Sequence, residues 1–402
     1  MSPTTTSAPL IFLIAGEPSG DLLGGRLMAA LRRETGGRVR FAGIGGENMA
    51  AEGLVTLFPL EDLAVMGFLE VLPRLPRILR RLRETVTAIR SLRPQAVVSI
   101  DSWGFTGRVN RALREERNSG GWSVPQIHYV APMVWAWRPR RAFHLAACLD
   151  HLMTLLPNEP PYFLAAGLPT THVGHPVIET GERQADGAAF RVRHGIGASS
   201  PILCFLPGSR RNEVTRLLPI FEQCALLLRE RYPGLHIIVP TVANVAEIVS
   251  DHVWRWPVPA TVVRGAEEKF DAFAAADVAL AASGTVALEL AQAGLPNVIA
   301  YRASPVSVWL FRRLTTLKYV NLVNLLVDRL VVAEFLQADC QPGRLAEALS
   351  VLLDDPATRE KQREGMAEAM TRLGGGEEAP STRAARVVLE IMASRSCSTV
   401  GR

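Results

Sequence analysis

The chain has 402 residues, more than one hydrophobic core ordinarily serves, so two domains are the default expectation. Hydrophobic residues make up 48% and charged residues 21%, which excludes a disordered chain, and no stretch reaches the roughly 18 consecutive apolar residues of a membrane span. The net charge of +5, carried mostly by arginine, suits phosphates, nucleic acid or an acidic membrane surface without choosing among them.

Met1 to Ala8 reads as a polar tail. The apolar run that follows, Leu10–Ala15, is short and lacks the basic leader of a signal peptide, so a cytoplasmic location is expected. Ile11–Ala15 reads as a buried strand. It runs into Ala15-Gly16-Glu17-Pro18-Ser19-Gly20-Asp21, a glycine turn opening a helix whose apolar face is Leu23, Leu27, Ala30 and Leu31. Such a turn can bring backbone N–H groups to an anion, and the same residues equally read as a capped strand-to-helix turn.

Val65 to Arg83 interleaves large apolar residues with arginines: Val65, Met66, Phe68, Leu69 and Leu72 beside Arg74, Arg77, Arg80 and Arg81. The pattern fits a basic amphipathic surface for an anionic interface, or a helix with its apolar side in a core and its arginines in water. Val97–Ile100 and Gln126–Val130 are further strand-like runs. The first ends in Asp101-Ser102-Trp103, where a carboxylate could take a proton from a hydroxyl or simply cap the next helix.

Gln184–Pro201 breaks the rhythm with polar and glycine-rich residues, and the domain boundary is expected there. The pattern restarts with Ile202–Leu206 and the loop Pro207-Gly208-Ser209-Arg210-Arg211-Asn212-Glu213, whose backbone, hydroxyl and guanidinium donors suit a diphosphate. Ile237–Val239, Val278–Ala281 and Val298–Ala300 continue the strands. Ser283-Gly284-Thr285 opens a helix with Val286, Leu290 and Ala293 on its apolar face, and Glu289 one turn in could accept ribose hydroxyls or simply face solvent. Tyr301-Arg302 places a cation at another strand end, where it could clamp a phosphate or simply pair with an acid. After Gly374-Gly375-Gly376, Pro380-Ser381-Thr382 start a last helix through about Met392 that is expected to pack back on the first domain.

Fully apolar strands alternating with amphipathic helices mean α/β, doubly wound, with ligands beyond the carboxyl ends of the strands. The expected domains are 9–183, with the helix 380–393 returning to it, and 198–373, two similar halves facing one another across a central cleft. The five cysteines are scattered without C-x-x-C spacing, the eight histidines form no metal pair, and neither a Walker motif nor a D-x-D pair is present, so no metal and no cofactor are expected.

Taken in order, Ala-Gly-Glu-Pro-Ser-Gly-Asp at 15–21, Gly-Ile-Gly-Gly at 43–46, Leu-Ala-Val-Met-Gly at 63–67, Glu-Val-Leu-Pro-Arg-Leu at 70–75, Ile-Asp at 100–101, His-Tyr-Val-Ala-Pro at 128–132, Val-Trp-Ala-Trp-Arg at 134–138, Val-Gly-His-Pro at 173–176, Leu-Pro-Gly-Ser-Arg at 206–210 and Ala-Ser-Gly-Thr at 282–285 resemble the lipid-A-disaccharide synthases. The resemblance spans nearly the whole chain. It implies a GT-B glycosyltransferase of two Rossmann-like domains that transfers 2,3-diacylglucosamine from its UDP donor to 2,3-diacylglucosamine 1-phosphate. The products would be a β(1→6) disaccharide and UDP, formed with inversion, without a metal, at the inner leaflet of the Gram-negative inner membrane.

The resemblance also implies roles. Asp101 would be the general base. Glu17 and Ser19 would contact substrate. Ser209-Arg210 and Ser283-Gly284-Thr285 would contact the diphosphate and Glu289 the ribose, with Gly208, Glu213, Tyr301, Arg302 and Asn324 as further candidates for the UDP site, and the 65–83 segment would meet the membrane. Two departures stand out. Trp103 occupies a usual proline position, and Tyr-Val-Ser-Leu-Pro-Asn-Leu-Leu-Ala-Gly becomes Tyr319-Val320-Asn321-Leu322-Val323-Asn324-Leu325-Leu326-Val327-Asp328.

A UDP-N-acetylglucosamine epimerase on the same architecture is the rival enzyme, and a non-catalytic nucleotide-sugar or lipid-binding protein the rival from another class. Nucleic acid is not expected as a partner, because the arginines are not interleaved with stacking aromatics. Oligomeric state is left open, a homodimer being one option.

Overall fold

The computed structural model of the chain describes residues 8–63, 68–134, 140–182, 185–303, 318–376 and 378–400. They form two compact units, one made of the residues up to Pro176 together with those from Gly376 onward, the other of Val177–Gly375. Each unit is built on a six-stranded, wholly parallel sheet.

In the first unit the strands are β1 (Leu10–Ala15), β2 (Arg40–Ile44), β3 (Ala96–Ile100), β4 (Gln126–Tyr129), β5 (His151–Thr154) and β6 (Thr170–His172), in the order β2-β1-β3-β4-β5-β6. In the second they are β7 (Ile202–Leu206), β8 (His236–Thr241), β9 (Ala260–Arg264), β10 (Val278–Ala282), β11 (Asn297–Tyr301) and β12 (Ala333–Leu336), in the order β12-β11-β10-β7-β8-β9. The central strands β1, β3, β7 and β10 are buried at every residue, as strands covered on both faces must be.

The strands that apolar runs did not announce are β2, β5, β6, β9 and β12. Four of them are the sheet edges, where only one side is paired and a continuous apolar run is not required.

Helices of the first unit include α1 (Pro18–Glu34), α2 (Glu47–Ala51), α3 (Phe68–Leu92), α4 (Trp103–Asn118), α5 (Arg141–Ala146) and α6 (Pro160–Leu164). On α1 the expected face is the buried one: Leu23, Leu27, Ala30 and Leu31 are at most 7% exposed. In the second unit the helices are α7 (Gly187–Arg193), α8 (Arg211–Arg231), α9 (Ala246–Val253), α10 (Ala266–Ala275), α11 (Val286–Gln292), α12 (Leu322–Val327), α13 (Pro342–Asp354) and α14 (Pro356–Arg372). The apolar face of α11 differs from expectation. Ala287, Leu288, Leu290 and Ala291 are buried, and Ala293 lies past the helix end in an exposed position.

The last helix, α15 (Pro380–Val400), runs beyond Met392 and belongs to the first unit. Its Ala384, Ala385 and Val388 enter the same core as α1, and Arg386 pairs with Glu34 at 3.1 Å. Further along, Arg395 joins Arg114 and Arg117 on the Asp150 carboxylate.

The change of unit falls at Pro176–Val177, before the expected 184–201 stretch. The reason is α7, which packs on the second unit: a Cβ on Gly187 would meet the Ala274 backbone at 2.5 Å, and Arg191 donates to Ala275 O at 2.9 Å.

Candidate active site

In each sheet the chain first builds outward on one side and then crosses to the other. β1 is followed by β2, and β3 then adds on the far side of β1. In the same way β7 is followed by β8 and β9, and β10 then adds on the far side of β7. At such a reversal the loops after the two adjacent strands diverge and leave room for a ligand at their carboxyl ends. The glycine loops singled out in the sequence stand at these two points.

At the first reversal, Gly16 follows β1 and Ser102 follows β3. A Cβ on Gly16 would lie 2.5 Å from Ser102 Cβ, so the loops touch there. Pro18 starts α1 with a ready-made helical φ, while Glu17 and Ser19 are exposed on the rim. Asp21, one turn in, turns away from the rim and is 3% exposed. Its carboxylate accepts from Gly46 N (2.7 Å), Asn48 N (2.9 Å), Asn48 Nδ2 (2.8 Å) and Met49 N (3.1 Å), satisfying the start of α2.

Asp101 extends the ladder one residue past β3, donating its N–H to Tyr129 O at 2.9 Å. There the backbone turns into the left-handed region, with φ +52° at Asp101 and +46° at Ser102; Val130, after neighbouring β4, has φ +80°. Non-glycine residues rarely hold this conformation, and clusters of it mark functional sites. The half-buried Asp101 carboxylate accepts Ser102 N at Oδ1 (2.7 Å), and its Oδ2 has no hydrogen-bond partner among the described residues. Trp103, in the usual proline position, is the first residue of α4 and stands edge-on to His128 with ring centroids 4.9 Å apart.

At the second reversal, Gly208 has φ +111°, and a Cβ there would meet Glu213 Oε2 at 2.8 Å and Ala282 Cβ at 3.6 Å. Glu213 is largely buried and holds the loop as the third residue of α8. Its Oε2 accepts Arg210 N at 3.4 Å and its Oε1 pairs with Arg210 Nη1 at 3.0 Å. The carboxylate therefore shapes the loop and orients Arg210. Ser209 is exposed, its carbonyl fixed by Asn244 Nδ2 at 2.8 Å, and the Arg210 side chain is 71% exposed.

Beside it, Ser283 is half-buried after β10, and Gly284 and Thr285 are exposed; Tyr301 ends β11 half-buried, and Arg302 is exposed after it. The sheet order makes β7, β10 and β11 neighbours, so these residues share one rim. Glu289 carries a partner that sequence reasoning missed: Lys269 of α10 donates to its Oε1 at 2.8 Å. Lys269 lies mid-helix in no recognisable motif. Asn244, by contrast, follows the β8 run and could have been found by position.

Asn324 requires a correction. It is fully buried, and its amide is spent inside the protein: Nδ2 donates to Val332 O (2.7 Å) and Glu334 (2.8 Å), and Oδ1 accepts Val331 N (2.8 Å) and Val332 N (2.9 Å). Glu334 also accepts Val320 N and Asn321 N at 3.0 Å each. Asn324 therefore holds the loop together, with both ends of its amide bonded inside the second unit. The departures around it are locally compensated. Val323 has an N–H that proline would lack, and Asn321 Oδ1 caps it at 2.8 Å. Asp328 takes the glycine position with φ +51°, a conformation that Asp tolerates better than most residues.

On α3 the described half buries Ile78, Val86 and Ile89 in the core and exposes Arg77, Leu79, Arg80 and Arg83. Arg81 is corrected from surface to structural. It is 16% exposed, donates to Asp62 (2.6 Å) and Glu84 (2.7 Å), and lies 4.5 Å over the Phe58 ring. Val65 and Met66, and the side chains of Phe68, Leu69, Leu72 and Arg74, lie outside the described residues. A hollow of about 220 Å³ among Arg191, Ser200, Tyr232, Asp277 and Arg359 opens at the amino ends of β7 and β10, away from the rim. Arg191 there is spent on the carbonyls of Gly197, Ser200 and Ala275, so the hollow is not where the loop chemistry gathers.

A family model described as "Lipid-A-disaccharide synthetase" matches residues 11–388. The chain is 56% identical to the lipid-A-disaccharide synthase of Rhodospirillum centenum, covering 96% of this chain and 95% of that one. It is also 56% identical to that of Paramagnetospirillum magneticum, covering 95% and 97%. Among solved structures, a UDP-GlcNAc 2-epimerase from Neisseria meningitidis bound to UDP-GlcNAc superposes with TM-score 0.61 at 12% identity, covering 96% of this chain and 100% of that one. MurG of Acinetobacter baumannii superposes with TM-score 0.58 at 14% identity, covering 95% and 99%. At such identities these two structures speak for the fold alone, a pair of Rossmann-like domains.

Proposed function

The chain belongs to the lipid-A-disaccharide synthases, glycosyltransferases that use a UDP-sugar donor and a lipid A precursor as acceptor, and on that premise we propose how its loops divide the reaction. The donor is UDP-2,3-diacylglucosamine and the acceptor 2,3-diacylglucosamine 1-phosphate. The second unit's rim takes the UDP. Backbone N–H groups of Gly208 and of Ser283-Gly284-Thr285, the Ser209 hydroxyl and the Arg210 guanidinium meet the diphosphate, with Tyr301 and Arg302 beside them and Glu289 on the ribose. Glu17 and Ser19 serve the acceptor on the first unit's rim.

Asp101 Oδ2 accepts the proton of the acceptor's 6-hydroxyl as that oxygen bonds to the donor's anomeric carbon. The bond from that carbon to the diphosphate oxygen breaks, and UDP leaves with the electron pair. The charge developing on it is met by Arg210 and the loop N–H groups, with no step routed through a metal. Displacement from the opposite face inverts the anomeric centre. Arg77, Arg80 and Arg83, on the outward side of α3 with Leu79 among them, would rest on the anionic inner leaflet, so the enzyme acts as a peripheral cytoplasmic protein.

The observation carrying this reading is the coincidence of each glycine loop with its sheet's own reversal point. The test is UDP release from acylated UDP-glucosamine with and without the lipid monosaccharide phosphate. Release should require the acceptor and should drop by about 100-fold or more in Asp101→Ala, which still binds UDP. Release or epimerisation of the donor without acceptor would favour the epimerase reading, and an active alanine variant would remove Asp101 as base.

A further inference from the structure

Two consecutive non-glycine residues at positive φ, Asp101 and Ser102, persist only where their surroundings over-determine them. Here the surroundings are a run of polar side chains under α4. Thr106 Oγ1 lies 2.9 Å from Asp101 O and 3.1 Å from Ser102 O and donates to that pair of carbonyls. The Thr106 carbonyl accepts Asn110 Nδ2 at 3.0 Å, and the same nitrogen donates to Ser99 Oγ at 2.9 Å. Ser99 Oγ lies 2.8 Å from His128 Nδ1, and Gln126 Nε2 donates to Asn110 O at 2.6 Å. Ser99, Thr106, Asn110, Gln126 and His128 are 0–1% exposed.

A helix usually meets a sheet through apolar side chains, which tolerate small slides. Five bonded polar groups at this depth do not, because any shift of α4 against β3 and β4 leaves buried donors or acceptors unpaired. The ladder therefore locks the first turn of α4, and that turn holds the two carbonyls of the strained corner.

We infer that Thr106 is a positioning residue for Asp101: its hydroxyl, carried on a helix turn that Asn110, Ser99 and His128 tie to the sheet, fixes the left-handed corner that aims the carboxylate. The inference rests on Asp101 being the base. It assigns Thr106 no contact with substrate, so its contribution passes wholly through the Asp101 corner.

Thr106→Val keeps the shape and removes only the donor. It should lower kcat about 10- to 100-fold with KM for the donor within about twofold, since a misplaced group costs rate before it costs binding. Thr106→Ser should restore most of the rate, and far-UV circular dichroism with UDP binding checks that the variants fold. In the double variant with Asp101→Ala, the valine should cause no further loss. Should valine fail to fold, Thr106→Ala carries the same comparison. A Thr106→Val enzyme at wild-type kcat, or losses that multiply in the double variant, overturns the positioning role while Asp101 stands. An Asp101→Ala enzyme at full rate overturns both.

Discussion

A carbon placed on Gly16 would lie 2.5 Å from Ser102 Cβ, so the loops leaving β1 and β3 meet at a position that only hydrogen can fill. The neighbour is a Cβ, not the end of a flexible side chain, so an added methyl must push the backbone of one loop. Gly16→Ala should cost about 1–3 kcal/mol of stability, as overpacking does. Its larger effect should be on turnover, lowered about 100-fold, because the displaced residue adjoins Asp101. Thermal melts beside acceptor-dependent UDP release separate the two effects.

Arg210 presents the opposite case. Its side chain is 71% exposed and contributes little to the fold beyond its contact with Glu213. Arg210→Ala should leave stability within about 0.5 kcal/mol. UDP affinity should weaken about 10- to 100-fold, the worth of a charge-assisted hydrogen bond. Calorimetric titration with UDP reads this directly, and unchanged affinity would take the guanidinium out of the diphosphate site.

Asn324→Leu should behave in reverse. The substitution strands the N–H groups of Val331 and Val332 and one contact of Glu334, all inside the second unit. A stability loss of about 3 kcal/mol or more is expected. The molecules that remain folded should bind UDP within about threefold of the parent. Denaturant melts and UDP titration at low temperature check both halves, and a pure affinity loss would contradict the buried role.

Acid should destabilise the first unit through its histidines. Burial holds His128 at about 3, and burial together with Arg26 holds His175 at about 4. In the unfolded chain both protonate near the ordinary value of about 6.5. Between those limits the unfolded state binds more protons, so this stabilising contribution is complete above pH 6.5 and is lost as pH falls towards 4 and then 3. Urea melts at pH 7.5, 6 and 5 should show falling midpoints, and His128→Asn should flatten that slope. A flat parent profile would mean that the ring is charged or open to water in the fold.

Much of this arrangement was legible in the chain alone. Ile11–Ala15, Val97–Ile100, Ile202–Leu206 and Val278–Ala281 announce themselves because a strand covered on both faces must be apolar throughout. The loops after them carry glycine, serine, arginine and aspartate, at the strand ends where parallel sheets ordinarily meet ligands. β6 and β12 escaped notice, since edge strands with half-exposed residues have no such signature.

How each polar group is spent was decided only in three dimensions. Asp21 looks like part of a phosphate turn, and its carboxylate is used on Gly46, Asn48 and Met49, more than twenty residues away. Arg81 looks like one more surface arginine and closes on Asp62, and Glu289 meets Lys269. Apolar patterning is a local property, summed over neighbours along the chain, so the sequence determined the central strands and the loops that follow them, and left most sheet edges unmarked. A hydrogen bond needs one particular partner within about 3 Å. Only the tertiary fold could therefore settle which donors and acceptors were consumed internally and which, like Asp101 Oδ2, have no hydrogen-bond partner among the described residues.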